Sequence, residues 1–383
     1  MFRFNCLIFH FCLLIFLSCS SKDIDTEDIL SYRTESIRLP IDHTVFPSTF
    51  AMQYFEGKLY WMSRDKRTIH QLDFKNKEMD LFLKFNEEGP DGVGTPLGFY
   101  LHNLDSIYMP SGYRLFLLDR QAKIKNVYDF SETELAGPLS SNTRYSGQFV
   151  NLSKGVAISL KPELISKSLL NKDFLKRYNP FLVFDLKYEN FEKMNFNFDP
   201  ILFDKGSNLI SSSFTGEGDD FFVITQYSNV LHKYDIQKGK VSVHPLESNL
   251  VNNFSDSYFK SEPRNNSAVE NTRLIYKYAS NIGLLYDPFR KMIYRMGWKG
   301  EELDKNINFM KFSEFLPHFV VGVYNAESLE LLGEFDLPRN KYLAHHYFVS
   351  EDGLNLFLNH PDNPNTKEDE LKIEVFDFSG LKQ

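Results

Sequence analysis

The chain has 383 residues, 42% hydrophobic and 25% charged, with a mean hydropathy of −0.34, the balance of a folded domain with an ordinary soluble surface. That length buries a core that needs neither disulfides nor metals. The formal charge is −8 and the leader carries only Arg3, so the remainder is at −9, an acidic balance that repels phosphate backbones and sets nucleic acid aside as a partner.

The three cysteines, Cys6, Cys12 and Cys19, all lie in the first nineteen residues, so the rest can form no disulfide or cysteine-based metal site. The leader has an apolar core from about Leu7 to Leu17 and a small residue, Ser18, before Cys19. It is too short for a span of ~20 residues and has the anatomy of a secretory signal. It resembles a lipoprotein signal, departing from it at Phe16 and Leu17. The resemblance makes residues 1–18 the signal peptide and Cys19 the lipidated N-terminus. Ser20, Ser21, Lys22 and Asp23 resemble the polar, acidic tag that follows the lipidated cysteine in many Bacteroidetes surface proteins. Residues 19–35 read as a polar tether, and residues 36–383 as the folded domain.

From there a strand–turn–strand phrase recurs six times, its third strand closing on Asp73, Asp119, Asp185, Asp235, Asn325 and Asp377. Repetition at this scale is the signature of a β-propeller, in which no blade buries its faces alone. The expected fold is all-β, a six-bladed propeller of four-stranded blades. Blade one runs from about Phe50 to Phe85, two from Leu97 to Phe130, three from Gly147 to Phe198, four from Ile210 to Leu246, five from Tyr276 to Leu337, and six from Tyr342 to Phe378. Blade six supplies only three strands. Ile37, Leu39 and Ile41 alternate as in a half-buried strand, so Ser36 to Ile41 is expected to fill its outer position and close the ring. Pro40 is tolerated on such an edge.

Turns between first and second strands, and between third and fourth, share one end of a blade, and here they are short. The other end receives the long connections: Ser131 to Ser146, Lys161 to Asn179, Glu247 to Arg273, Gly297 to Pro317 and His360 to Glu370. Long connections concentrate function, which makes that end the expected binding face. Apolar residues at Leu170, Phe174 and Tyr178 predict a short capping helix there.

The repeated Asp suits a turn in which its carboxylate accepts backbone N–H bonds better than it suits a ring of catalytic acids. Asn86 to Pro96 lacks the Lys of a phosphate loop and turns the chain into blade two. His360 to Glu370 is oxygen-rich without EF-hand spacing and reads as a solvated loop. His345 and His346, read as starting the inner strand of blade six, face opposite sides and cannot share a metal. His345 is a candidate for the channel mouth with Arg144 and Tyr145, and Trp298 for sugar stacking; packing is the plainer role for each. No metal site or cofactor is expected.

EEGPDGVGTPLGFYLHNLDSIYM, LFLLDRQAKI and LLYDPFRKMIYRM resemble a family of Bacteroidetes lipoproteins, domain of unknown function family 4221. The resemblance implies a TolB-like six-bladed propeller on the outer membrane, at the cell surface or the periplasmic face, and carries over no catalytic residue. The expected function is a membrane-anchored propeller that binds a ligand or a partner protein on its long-loop face, with a glycan or an envelope protein as candidate partners. The alternative is a glycan hydrolase or lyase with acidic residues around the channel mouth.

Overall fold

The computed structural model describes residues 28–43, 45–49, 51–63, 65, 67–96, 98–131, 139–140, 149–160, 179–197, 212–254, 268–304 and 307–381. It is a ring of six antiparallel sheets. Blade one comprises β2 (Met52–Phe55), β3 (Lys58–Met62), β4 (Thr68–Asp73) and β5 (Glu78–Lys84). Blade two comprises β6 (Tyr100–Asn103), β7 (Ser106–Ser111), β8 (Arg114–Leu118) and β9 (Ile124–Asp129). In blade three, β10 (Leu139–Ser140) and β11 (Phe149–Leu152) pair successive parts of β12 (Gly155–Leu160), followed by β13 (Phe181–Asp185) and β14 (Asn190–Lys193). Its inner edge is therefore built from two pieces, where the sequence suggested one strand.

Blade four comprises β15 (Ser212–Glu217), β16 (Asp220–Thr225), β17 (Val230–Asp235) and β18 (Lys240–Pro245). Blade five comprises β19 (Ser280–Asp287), β20 (Met292–Trp298), β21 (Val320–Asn325) and β22 (Leu331–Asp336). Blade six comprises β23 (Tyr347–Ser350), β24 (Gly353–Phe357) and β25 (Glu370–Phe376), completed on its outer side by β1 (Arg33–Pro40).

The ring thus closes as the sequence suggested. Ile37 lies opposite Ile373 and Leu39 opposite Leu371, and Leu39 and Ile41 are buried in the cluster shared by blades six and one. Glu374 locks the seam. Its buried carboxylate accepts from Arg33 at 2.8 Å, Lys341 at 3.1 Å and the Tyr342 hydroxyl. Burial alone would raise Glu374; the Tyr342 and Arg33 hydrogen bonds and the Lys341 charge hold it below its ordinary value.

The domain reaches further back than the sequence boundary at residue 36. A 3₁₀ turn at Ile29–Tyr32 precedes β1, capped by Asp28. Ile29 is buried, and Tyr32 packs on Phe335 and Phe378.

The core is distributed. Six apolar clusters each join two consecutive blades, because a twisted four-stranded sheet covers both faces only by leaning on its neighbours.

The repeated acidic position has the turn role read from the sequence. Asp73, Asp119, Asp185, Asp235, Asn325 and Asp377 each accept a backbone N–H from two to four residues on, at 2.8–3.0 Å. Replacing Asp185 with Ala removes the acceptor for the Lys187 and Tyr188 N–H groups, at 2.8 and 2.9 Å. The expected loss is about 1 kcal/mol, read by thermal denaturation as a drop of roughly 2 °C.

Candidate functional site

All five third-to-fourth-strand links are tight turns, blade six taking its fourth strand from the other end of the chain, and the first-to-second-strand links are tight throughout. Among the described residues, the opposite end carries two helices absent from the sequence reading, α1 (Ala268–Lys277) and α2 (Phe309–Glu314), both above blade five. The capping helix expected within Lys161 to Asn179 falls almost wholly outside the described residues, as do Arg144, Tyr145 and Cys19.

Trp298, at the end of β20, organises this platform from beneath. Its Nε1 donates to the Tyr276 carbonyl at 2.7 Å, and its ring meets Phe312 edge-on. Tyr276 in turn meets Phe312 edge-on. Trp298 is fully buried and presents no face on which a sugar could stack; the packing role holds. Gly300 makes the approach of α1 possible: at φ +87°, a Cβ there would lie 2.6 Å from the Lys277 carbonyl oxygen. The Glu301 N–H then donates to the Tyr276 carbonyl at 3.0 Å.

His345 does not start the inner strand, which begins at Tyr347. It is half-buried in the preceding turn. His346 is buried against Trp61 and Phe357, and its Nε2 accepts the Thr49 N–H at 2.9 Å, tying blade six to the strand-free approach to blade one. Of the four candidates named from sequence, the described residues thus place Trp298 and His345 apart in role.

The His360 to Glu370 loop is ordered by its own side chains. The Asp362 N–H donates to His360 Nδ1 at 3.1 Å, and the Thr366 hydroxyl donates to the His360 carbonyl at 3.0 Å. Lys311 of α2 pairs with Asp362 at 2.6 Å. Among the described residues, no group of His, Cys, Asp and Glu could hold a metal ion.

A cluster missed by sequence reasoning lies beside Trp298. His318 precedes β21 and packs against the Trp298 ring, tilted by 43° with centroids 4.9 Å apart. Its Nε2 is 3.4 Å from Glu301 Oε2, and its Nδ1 is 3.3 Å from Asp336 Oδ1. Each carboxylate has its own cation. Arg339 grips Glu301 with two bonds, at 2.8 and 3.2 Å, and Lys299 pairs with Asp336.

Burial pushes His318 below its ordinary value, outweighing the opposing pull of Asp336 and Glu301, while Lys299 and Arg339 add to the lowering. Burial would raise Glu301, but Arg339 and His318 bring it net down. The arrangement is a fixed, alternating-charge ledge on the long-connection side, able to offer both donors and acceptors to a polar ligand.

The signs give a pH prediction. A histidine whose folded value is lowered binds fewer protons in the native state, so its contribution is full above its ordinary value of 6.5 and is lost as pH falls through the folded value. Glu301 and Glu374, also lowered, contribute above 4.5 and lose that contribution in more acid solution. Denaturant melts should therefore show stability declining from about pH 6.5 downwards. Burial lowers His70 and His360 as well, so the upper part of the decline should become shallower in His318→Gln without vanishing, and the lower part should remain.

The connection into α1 is fixed by blade five itself. Arg295, Gly322 and Glu334 stand in one row across β20, β21 and β22. Gly322 leaves room for the Tyr324 ring, whose Cε2 lies 2.9 Å from where a Cβ would sit. Glu334 accepts from the Ser248 hydroxyl and from the Asn249 and Leu250 N–H groups at 2.9 and 3.0 Å. Arg295 donates to the Val251 carbonyl at 3.2 Å and to Asn281 Oδ1 at 2.7 Å, and Tyr324 donates to the Glu247 carbonyl at 2.7 Å. A buried anion thus holds the N–H groups of the connection, and a buried cation one of its carbonyls.

Comparison with known proteins agrees with this architecture. A crystal structure of a DUF4221 family member from Bacteroides vulgatus superposes with a TM-score of 0.75 at 18% identity, covering 90% of this chain and 97% of that one. A second structure, of a protein from Bacteroides fragilis whose name describes it as exported, gives a TM-score of 0.55 at 9% identity over 91% of this chain and 96% of that one. No curated protein matches the chain. The model of the family described as Domain of unknown function (DUF4221) matches residues 28–336, and the chain belongs to that family.

Proposed function

We propose that this propeller is an exported lipoprotein, held on a membrane by acyl chains on Cys19, that binds a glycan or an envelope protein on its long-connection face. The observation that carries the reading is the difference between the two ends of the ring. One end is spent on turn bonds and inter-blade bridges. The other carries two helices, an internally knit loop and the Lys299, Glu301, His318, Asp336 and Arg339 ledge. Ordering each added loop residue costs ~1–2 kcal/mol of backbone entropy, which argues for use. The exported character named for the Bacteroides fragilis neighbour accords with the leader of this chain. Two or three acyl chains, at about 0.8 kcal/mol per buried methylene, hold a domain stably at a bilayer.

The test pairs two photo-crosslinking positions in cells, Glu302 on the long-connection side and Glu327 in a short turn. Crosslinked products should form from position 302 and be lost in a Lys299→Ala, Arg339→Ala double variant that remains folded by circular dichroism. Products from position 327 alone would overturn the face assignment, and release of reducing ends from an envelope glycan panel would replace binding with hydrolysis. Cys19→Ala should leave the membrane fraction; an unmodified N-terminus beyond Cys19 in the native protein would refute the anchor.

A further inference from the structure

We propose that the short-turn face rests against the lipid bilayer, with Phe289 as its interfacial contact, and that the long-connection face therefore points away from the membrane; this rests on the reading of Cys19 as the lipidated residue. The argument starts from where the described chain begins. β1 runs antiparallel to β25, with Arg33 opposite Phe376 and Pro40 opposite Glu370. Its first residue therefore lies at the end of blade six that carries the short turns. The Asp377 N–H donates to the Tyr32 carbonyl at 3.0 Å. Arg290 ties the same Asp377 to that face, donating to its carboxylate at 2.7 Å, to the Ser350 carbonyl at 3.4 Å and to the Glu351 carbonyl at 2.9 Å. Arg290 belongs to the β19–β20 turn, Ser350 ends β23, and Glu351 begins the β23–β24 turn. Tyr32 and Arg33 thus lie beside two short turns, and Asp28 stands one packed 3₁₀ turn further back, with Ile29 buried in the cluster of blades five and six.

Length then decides the orientation. Nine residue steps separate Cys19 from Asp28, at most about 30 Å of extended chain. A six-residue strand is ~20 Å long, and the turns and the helical platform add to the thickness of the ring. To lay the long-connection face on the bilayer, the tether would have to run past the whole domain almost fully extended. With the short turns towards the bilayer it needs no extension.

The surface chemistry at the exit agrees. Phe289 is 52% exposed and sits in the same turn as Arg290. Its neighbours are of mixed charge, Glu327, Glu351 and Asp352 against Arg290 and Lys291. The apolar ring, rather than a basic patch, is then what favours the interface. The orientation also leaves the ledge and both helices free for a partner in the surrounding medium.

The domain has no cysteine after Cys19, so an introduced thiol can be labelled alone. Full-length lipidated protein carrying Asp352→Cys or Glu302→Cys is labelled with a fluorophore and reconstituted on vesicles of phosphatidylethanolamine and phosphatidylglycerol with brominated acyl chains. Fluorescence at position 352 should fall at least twofold, and that at 302 should stay within a tenth of its value in unbrominated vesicles. Phe289→Ser in the Asp352→Cys background should halve the quenching without changing the melting temperature. Stronger quenching at 302, or equal values at the two positions, overturns the orientation while leaving the anchor intact. Protein that fails to float with the vesicles overturns the anchor and this inference together, and unchanged quenching in Phe289→Ser removes Phe289 from the contact.

Discussion

Deleting residues 33–40 should leave a protein that is insoluble or melts more than 10 °C below the full domain. β1 is the outer strand of blade six, and without it β25 presents an unpaired edge along seven paired positions, from Phe376 to Glu370. Leu39 is fully buried between blades six and one, so the deletion also opens an apolar junction at the only place where the ring is closed by residues from opposite ends of the chain. A point variant separates edge from core: Leu39→Asp keeps the strand but buries an unpaired carboxylate, a cost of several kcal/mol. Arg38, exposed on the other side, should accept Ala within about 0.5 kcal/mol. A deletion variant with an unchanged melting temperature would show that three strands suffice for blade six.

The parts of this fold legible in the sequence are those fixed locally or by repetition. The six Asp and Asn positions were visible because each makes its bond within four residues, so the same letters recur. Ring closure was visible because Ile37, Leu39 and Ile41 alternate and blade six lacks a strand. Even these turns hide a detail: the residue four after the Asp takes positive φ at Lys77, Glu189 and Leu329, and only Gly239 announces it by residue type.

The site was far less legible. Glu301, His318, Asp336 and Arg339 meet because β20, β21 and β22 start and stop at one edge of blade five, a matter of register that spacing does not reveal. Trp298 stood as a candidate for sugar stacking, with packing the plainer role, because a tryptophan beside a long insertion looks the same whether the insertion is open or folds back over it. The structure folds α1 and α2 back over it. His345 missed the strand because two buried contacts of its neighbour, with Thr49 and Trp61, come from residues almost three hundred positions away.

The second large effect is expected at Glu334. Its side chain is buried and takes three bonds from Ser248, Asn249 and Leu250. Among the described residues, Arg295, on the same row and also buried, bonds neutral oxygens, of Asn281, Tyr324 and Val251. Glu334→Ala therefore leaves two backbone N–H groups and a hydroxyl without their acceptor and removes the nearest negative charge on that row from a buried guanidinium. Leaving three buried donors without their charged acceptor costs about 3–5 kcal/mol, and in a domain of this size that is a fall of roughly 4–7 °C.

Glu334→Gln keeps one acceptor oxygen and should cost about half as much. Arg295→Met removes the cation from the Glu334→Ala background and should recover part of the loss, a coupling that a double-mutant cycle reads directly. Hydrogen exchange at the Asn249 and Leu250 amides should accelerate in Glu334→Ala before exchange in β20 or β21 changes, because the first thing released is the connection that carries the chain to α1. If those amides keep their protection while the whole domain loses stability, Glu334 supports the blade rather than the connection, and the platform above blade five owes its position to Trp298 and Gly300 alone.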